Sequence, residues 1–111
     1  MTHSSATHAL SVNPANGETL AAYPWATQND VDNAVALADA GFRQWRHESV
    51  AHRAQKLRDL GQAIRARAEE MAQMMTREMG KPIVQARAEV TKTAALFDWY
   101  AQHGPAMLEA E

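Results

Sequence analysis

The sequence offers histidines and acidic side chains as candidates for acid–base or metal chemistry. The five histidines are His3, His8, His47, His52 and His103. His47 and His52 are five residues apart, so on a helix they do not share a face as an i,i+4 pair of metal ligands would. The pair Glu69-Glu70 lies next to arginines, which is typical of a solvated, salt-bridged helix surface. The spacing therefore predicts exposed histidines that do not act as metal ligands.

The amino-acid composition excludes several kinds of site and partner. The 111 residues include no cysteine, which excludes disulfides, thiolate metal ligands and a cysteine nucleophile within the chain. The formal net charge of −2 argues against a nucleic-acid binder. Since the sequence has neither the apolar run of a secretory signal nor that of a membrane span, we expect a cytoplasmic protein without nucleic-acid or membrane partners.

A cluster of methionines can be interpreted in two ways. Its members are Met71, Met74, Met75 and Met79. Methionine serves both as an adaptable binding surface and as a filler of irregular core gaps, and helical spacing favours the core. The five glycines are scattered, so no glycine-rich phosphate loop is expected.

The elements begin with a predicted β-hairpin. Polar and apolar residues alternate over 9–12 and 18–23, and Asn16-Gly17 between them can supply the positive φ of a tight turn. We expect residues 1–8 to form a flexible arm and residues 9–111 to form one segment.

Three amphipathic helices are predicted after the hairpin. The first begins at Thr27, and the second runs from Ser49 to a stop at Gly80. The third ends at Gly104-Pro105 and is followed by a helical remnant over 106–111. The first helix has an apolar stripe formed by Val31, Val35, Ala38, Phe42 and Trp45. The stripe of the second helix is formed by Leu57, Leu60, Ile64, Ala68, Met71 and Met75. The stripe of the third helix is formed by Ile83, Ala86, Val90, Ala94, Phe97 and Ala101. The predicted fold class is mainly α with a short N-terminal β-hairpin.

A series of short motifs resembles the start of an aldehyde dehydrogenase. The motifs are Asn13-Pro14-Ala15-Asn16-Gly17-Glu18, Asp30-Val31-Asp32-Asn33-Ala34-Val35, Gly41-Phe42-Arg43-Gln44-Trp45, Arg53-Ala54-Gln55-Lys56-Leu57, Arg65-Ala66-Arg67-Ala68-Glu69-Glu70, Thr76-Arg77-Glu78-Met79-Gly80-Lys81-Pro82, Glu89-Val90 and Trp99-Tyr100-Ala101. Their order and spacing together are highly specific, and the resemblance extends from Ser11 onward. Within the family, the chain is most similar to the bacterial succinate-semialdehyde dehydrogenase branch. The resemblance implies a fragment of the α/β cofactor-binding domain.

The resemblance implies a parent enzyme that oxidises succinate semialdehyde, or a related aldehyde, to the acid with NAD or NADP. In that family the nucleophilic cysteine, the general-base glutamate and nearly all cofactor contacts come later than the segment resembled here. The chain alone is therefore expected to bind no cofactor, to contain no catalytic residue and to be inactive.

The partners implied are the rest of an aldehyde dehydrogenase fold or a second copy of the chain. In the family, the apolar helix faces pack on the sheet of the cofactor domain. We therefore expect stripe residues such as Phe42, Ile64 and Val90 to lack a packing surface here. The alternatives are a small helical interaction module that uses an exposed apolar face, and a remnant without function.

Two local sites are also implied by the resemblance. Some family members bind a structural monovalent cation, and the matching positions are the carbonyls of Ser11 and Val12 and the carboxylate of Glu78. One face of the third helix lines the entrance for substrate in the family, and the residues there would be Ala88, Lys92 and Leu96. A lysine at the entrance could attract a substrate carboxylate.

Overall fold

The computed structural model describes residues 7–109 as a hairpin followed by helices. The elements are β1 (His8–Val12), β2 (Thr19–Pro24), α1 (Gln28–Trp45), α2 (Val50–Ala66), α3 (Ala68–Met79) and α4 (Ile83–Met107). The predicted fold class, mainly α with a short N-terminal hairpin, is confirmed. The chain divides into two compact units, with the boundary between Glu48 and Ser49.

The hairpin pairs β1 with β2 in antiparallel register, and the ladder is irregular between Ser11 and Val12. The turn closes where the sequence predicts it, because Gly17 has φ +76° and its N–H donates to the Asn13 carbonyl at 2.8 Å. β1 begins at His8, which the sequence assigned to the arm. Residues 1–6 of that arm lie outside the described residues.

Helix α1 begins with the predicted cap. The Thr27 hydroxyl accepts from the Asp30 N–H at 3.2 Å, and the Asp30 carboxylate accepts from the Thr27 N–H at 2.9 Å. The hydrogen bond from the Thr27 N–H, and a second one that the Thr27 hydroxyl donates to the same carboxylate at 2.7 Å, lower the pKa of Asp30. Every residue of the helix is exposed, so the apolar stripe that includes Phe42 and Trp45 is open to solvent.

The second unit has its own core between α4 and the two preceding helices. Ile64 and Val90 are its largest buried side chains, and the partly buried Phe97 packs against them. The other buried residues are Ala54, Gly61, Ala72, Ala86, Ala94 and Ala101. Small residues let helix backbones approach closely, so the predicted stripe of α4 is covered by α2 and α3. The expectation that Ile64 and Val90 lack a packing surface is therefore wrong.

The methionine cluster is mostly outside this core. Met75 is partly buried and packs against the core residues. Met74 and Met79 are 52% and 71% exposed. The core interpretation therefore holds for Met75 and fails for these two neighbours.

Gly61 lies where α2 and α4 approach each other closely. A Cβ placed there would lie 3.0 Å from Asp98 Oδ1 and 3.3 Å from the Ala94 carbonyl oxygen. We predict that Gly61→Leu lowers the free energy of unfolding by about 1–3 kcal/mol, because the side chain must push the two helices apart. Urea denaturation followed by far-ultraviolet circular dichroism measures the loss.

The matched control for this substitution is Gly41→Leu in α1. A Cβ at Gly41 meets nothing within 4 Å, and leucine favours a helix over glycine. This variant should be as stable as the parent or slightly more so. Equal unfolding curves for the parent and Gly61→Leu would contradict the close approach.

The second predicted helix is in fact two helices, separated at Arg67. Arg67 has φ −114° and ψ 19°, which is outside helical geometry, and it ends α2 and precedes α3. Its guanidinium donates two hydrogen bonds to the Glu70 carboxylate, at 2.9 and 2.6 Å. Ile64 before this break and Ala72 after it both lie in the core with residues of α4. The sequence has neither glycine nor proline at this point to predict it.

The third predicted helix continues past Gly104-Pro105 to Met107. Proline has no N–H, so Pro105 leaves the carbonyl of Ala101 without its helical donor. Arg58 of α2 donates to that carbonyl at 3.4 Å. The expected stop is therefore wrong, since a side chain from another helix replaces the missing hydrogen bond.

An ion pair also joins α3 to α4. The Arg87 guanidinium donates to both carboxylate oxygens of Glu69, at 2.7 and 2.9 Å, and Gln73 donates to Glu69 at 3.0 Å. These hydrogen bonds, the one from Arg87 above all, lower the pKa of Glu69 to about 2. Of the acidic pair Glu69-Glu70, Glu69 therefore helps to hold α3 against α4.

The low pKa of Glu69 predicts an acid-sensitive contribution to stability. The folded state holds this carboxylate charged, so the contribution is complete above the ordinary pKa of 4.5 and is lost as the pH falls towards about 2. We expect Glu69→Gln to flatten the fall of the melting temperature across this pH range. Glu109→Gln removes another exposed carboxylate and serves as the control. Parallel curves for Glu69→Gln and the parent would refute the assignment.

Candidate functional site

One face of α4 forms the wall of an open depression of ≈ 720 Å³. Its lining residues are Ala88, Glu89, Lys92, Thr93, Ala95, Leu96 and Trp99. The predicted entrance residues Ala88, Lys92 and Leu96 are spaced four apart, so one helix face brings all three together. Their role in substrate access stays a prediction.

Trp99 extends this face by one further turn, and the sequence analysis did not assign it to the site. Its ring meets Tyr100 edge-on at 5.1 Å and packs against His103 at 4.7 Å. Trp99 is 45% exposed and Leu96 is 53% exposed. The spacing of Ala88, Lys92, Leu96 and Trp99 could have revealed the full face.

The two charged side chains in the depression, Glu89 and Lys92, differ in their ion pairing. Glu89 forms an ion pair with Lys81, which lies in the connection between α3 and α4. Lys92 has no ion-pair partner within residues 7–109. The free ammonium group of Lys92 next to the apolar side chains of Leu96 and Trp99 suits a small molecule with a carboxylate and a short hydrocarbon chain.

The three residues of the predicted cation site lie in different units. Ser11 and Val12 are in β1, at the irregular point of the ladder, where carbonyl groups depart from regular pairing. Glu78 is exposed near the end of α3. The units are described separately, so the cation site stays a prediction from the resemblance.

Neither a glycine-rich phosphate loop nor a clustered metal site is found within residues 7–109. Within them only Gly17 and Gly80 have positive φ, one in the hairpin turn and one at the end of α3, which is not a phosphate-binding loop. Residues 7–109 contain no group of three histidine or acidic side chains that could hold a metal ion. Over the same range, no helix is long and apolar enough to cross a membrane.

A second, smaller cavity of ≈ 100 Å³ lies between the start of α2 and the end of α4. Leu57, Tyr100 and Pro105 contribute to its apolar wall. Arg53 also lines it, and the buried Nε of this arginine has no hydrogen-bond partner within residues 7–109. The sequence analysis did not single out Arg53 as a site residue.

Comparison with known proteins identifies the family that has this fold. The model of the aldehyde dehydrogenase family matches residues 1–111. The chain belongs to the aldehyde dehydrogenase family. The resemblance inferred from the motifs is thereby confirmed.

Relatives within the family point to one branch. The chain is 66% identical over 111 residues to succinate semialdehyde dehydrogenase (NAD(P)+) Sad of Escherichia coli strain K12, covering 100% of this chain and 24% of that relative. It is 40% identical over 100 residues to succinate-semialdehyde dehydrogenase (NADP(+)) 1 of Mycobacterium tuberculosis strain H37Rv, covering 90% of this chain and 22% of the relative. The chain thus spans about a quarter of the length of these family members.

Solved structures of the family share the fold. An NAD-dependent aldehyde dehydrogenase from Sinorhizobium meliloti matches with a TM-score of 0.85 and 34% identity, covering 100% of this chain and 22% of that one. A succinate-semialdehyde dehydrogenase from Burkholderia pseudomallei matches with a TM-score of 0.81 and 28% identity, covering 89% and 20%. The hairpin and helices are therefore those of an aldehyde dehydrogenase segment.

Proposed function

We propose that this chain is the N-terminal hairpin and helical segment of a cytoplasmic enzyme that oxidises succinate semialdehyde, or a related aldehyde, to the acid with NAD or NADP. The identity of 66% over all 111 residues to the Escherichia coli relative carries this proposal. Family membership by itself supports only aldehyde oxidation, because one fold serves many substrates.

Within such an enzyme, the α4 face is proposed to guide the substrate. Succinate semialdehyde has a carboxylate at the end opposite its aldehyde, and the free ammonium of Lys92 supplies the opposite charge. Leu96 and Trp99 offer apolar contact to the methylene groups between those ends. A positive side chain on a partly apolar surface raises the local concentration of an anionic substrate.

The proposal gives this chain a binding role and no bond-making step. Oxidation of an aldehyde through a thioester needs a thiolate, and the chain has no cysteine. The nucleophile and the cofactor contacts are assigned to the remainder of the enzyme. The exposed stripe of α1, which contains Val35 and Phe42, supplies apolar surface for packing against that remainder or a second copy.

The function is tested by a chimera in which this chain replaces the matching segment of the Escherichia coli relative. We expect the chimera to reduce NAD or NADP when succinate semialdehyde is added. Activity on uncharged aldehydes together with inactivity on succinate semialdehyde would refute the proposed substrate. The exchanged segment is 66% identical to the one that it replaces, so the exchange is structurally mild.

Lys92→Ala in this chimera tests the proposed contact with the carboxylate. We predict that KM for succinate semialdehyde rises about fivefold, which corresponds to about 1 kcal/mol for one exposed charge pair. KM for butanal, which has no carboxylate, should not change. Lys56→Ala removes an exposed lysine of α2 and serves as the control. An equal rise of KM for both aldehydes would show that Lys92 acts through structure instead of charge.

A further inference from the structure

The depression on α4 contains a carboxylate that can compete with the substrate carboxylate for Lys92. Glu89 and Lys92 both line it, and they are three residues apart on one helix. Opposite charges at this spacing attract each other on a helix surface. A free Glu89 would therefore pair with Lys92 and would also repel an anionic substrate.

Lys81 prevents that pairing in the structure. It forms an ion pair with Glu89, and its side chain is only 28% exposed whereas that of Glu89 is 48% exposed. The backbone around Lys81 is constrained on both sides. Gly80 ends α3 in the left-handed conformation with φ 71°, and Pro82 precedes α4. Lys81 is thus held where it can reach Glu89 across the first turns of α4.

We propose that Lys81 is a positioning residue that sets the preference of this site for anionic aldehydes. By pairing with Glu89, it neutralises the one carboxylate in the depression and keeps the ammonium of Lys92 available. This inference rests on the proposed function, since it concerns the same substrate. It adds a residue outside the depression that controls the charge within it.

The pair predicts a pattern that a merely structural role would not produce. Without Lys81, Glu89 competes for Lys92, so the site loses its excess of positive charge. Without Glu89, there is no competitor and Lys81 is no longer needed. The effect of removing Lys81 should therefore depend on whether Glu89 is present.

The experiment uses the chimera of this chain with the Escherichia coli relative. We expect Lys81→Gln to raise KM for succinate semialdehyde about three- to fivefold and to leave KM for butanal unchanged. Glu89→Gln removes the competing carboxylate from the depression, so it should lower KM for succinate semialdehyde. The double variant Lys81→Gln/Glu89→Gln should return KM for succinate semialdehyde to that of the parent chimera. Lys56→Gln, an exposed lysine elsewhere, should have no effect.

Two results for succinate semialdehyde would overturn the inference. One is an unchanged KM for succinate semialdehyde in Lys81→Gln, and the other is a raised KM that persists in the double variant. A rise for butanal of the same size would also assign Lys81 a structural role and so overturn it. The proposed function is judged separately by the unsubstituted chimera, because its activity on succinate semialdehyde does not depend on these variants.

Discussion

Replacing Val90 by aspartate is expected to unfold the unit formed by α2, α3 and α4. Val90 is 4% exposed and packs in the core with Ile64, Ala86 and Ala94. Burying an unpaired carboxylate there, together with the loss of the valine contacts, should cost about 3–5 kcal/mol. A unit of this size has a small free energy of unfolding, so such a loss is enough to unfold it. Far-ultraviolet circular dichroism should show the loss of most helical signal at room temperature.

The control is the same substitution at Val84, in the first turn of the same helix. Val84 is 73% exposed, and an acidic side chain near a helix N-terminus is favourable. Val84→Asp should retain the helical signal and the melting temperature of the parent. If Val90→Asp also melts like the parent, the core described for the three helices is wrong.

The chain by itself is expected to have no aldehyde dehydrogenase activity. Formation of the thioester requires a thiolate nucleophile, and none of the 111 residues is cysteine. The measurement is production of reduced cofactor from succinate semialdehyde with NAD and with NADP, using chain purified free of host dehydrogenases. Relative to the chimera, the loss should be complete within the sensitivity of the assay.

Gel filtration supplies the control for contamination. A trace of host enzyme would elute at a different volume from this chain of 12.2 kDa. Turnover that follows the chain through the column would show that a different nucleophile operates. Restored turnover after mixing the chain with the remainder of the Escherichia coli relative would instead support the assigned division of roles.

The sequence alone determined the features that depend on neighbouring residues. Thr27 caps α1 because its hydroxyl and the Asp30 carboxylate are three residues apart, and Ser49 caps α2 in a similar way, accepting from the His52 N–H at 3.1 Å. Gly17 and Gly80 have the positive φ that their turns need. The order of the motifs identified the family, because it depends only on residue types and spacing.

Features that depend on contacts distant in sequence could be decided only by the tertiary structure. The break at Arg67 aligns two helices on α4, and the passage of α4 through Pro105 relies on Arg58 from another helix. Ile64 is buried because small residues on α4 let the helices approach closely. No local pattern shows whether an apolar face will find such a partner within the same chain.

In the candidate site too, some features follow from the sequence and others from the tertiary structure. The spacing of Ala88, Lys92 and Leu96 places them on one face of any helix, so the sequence could predict their proximity. The availability of Lys92 depends on where the carboxylate of Glu89 goes. Glu89 is eight residues from Lys81, and the turn between α3 and α4 brings the two together. The sequence therefore determined which residues form the face, whereas the tertiary structure decided its charge, because ion pairs form between groups that the fold makes neighbours.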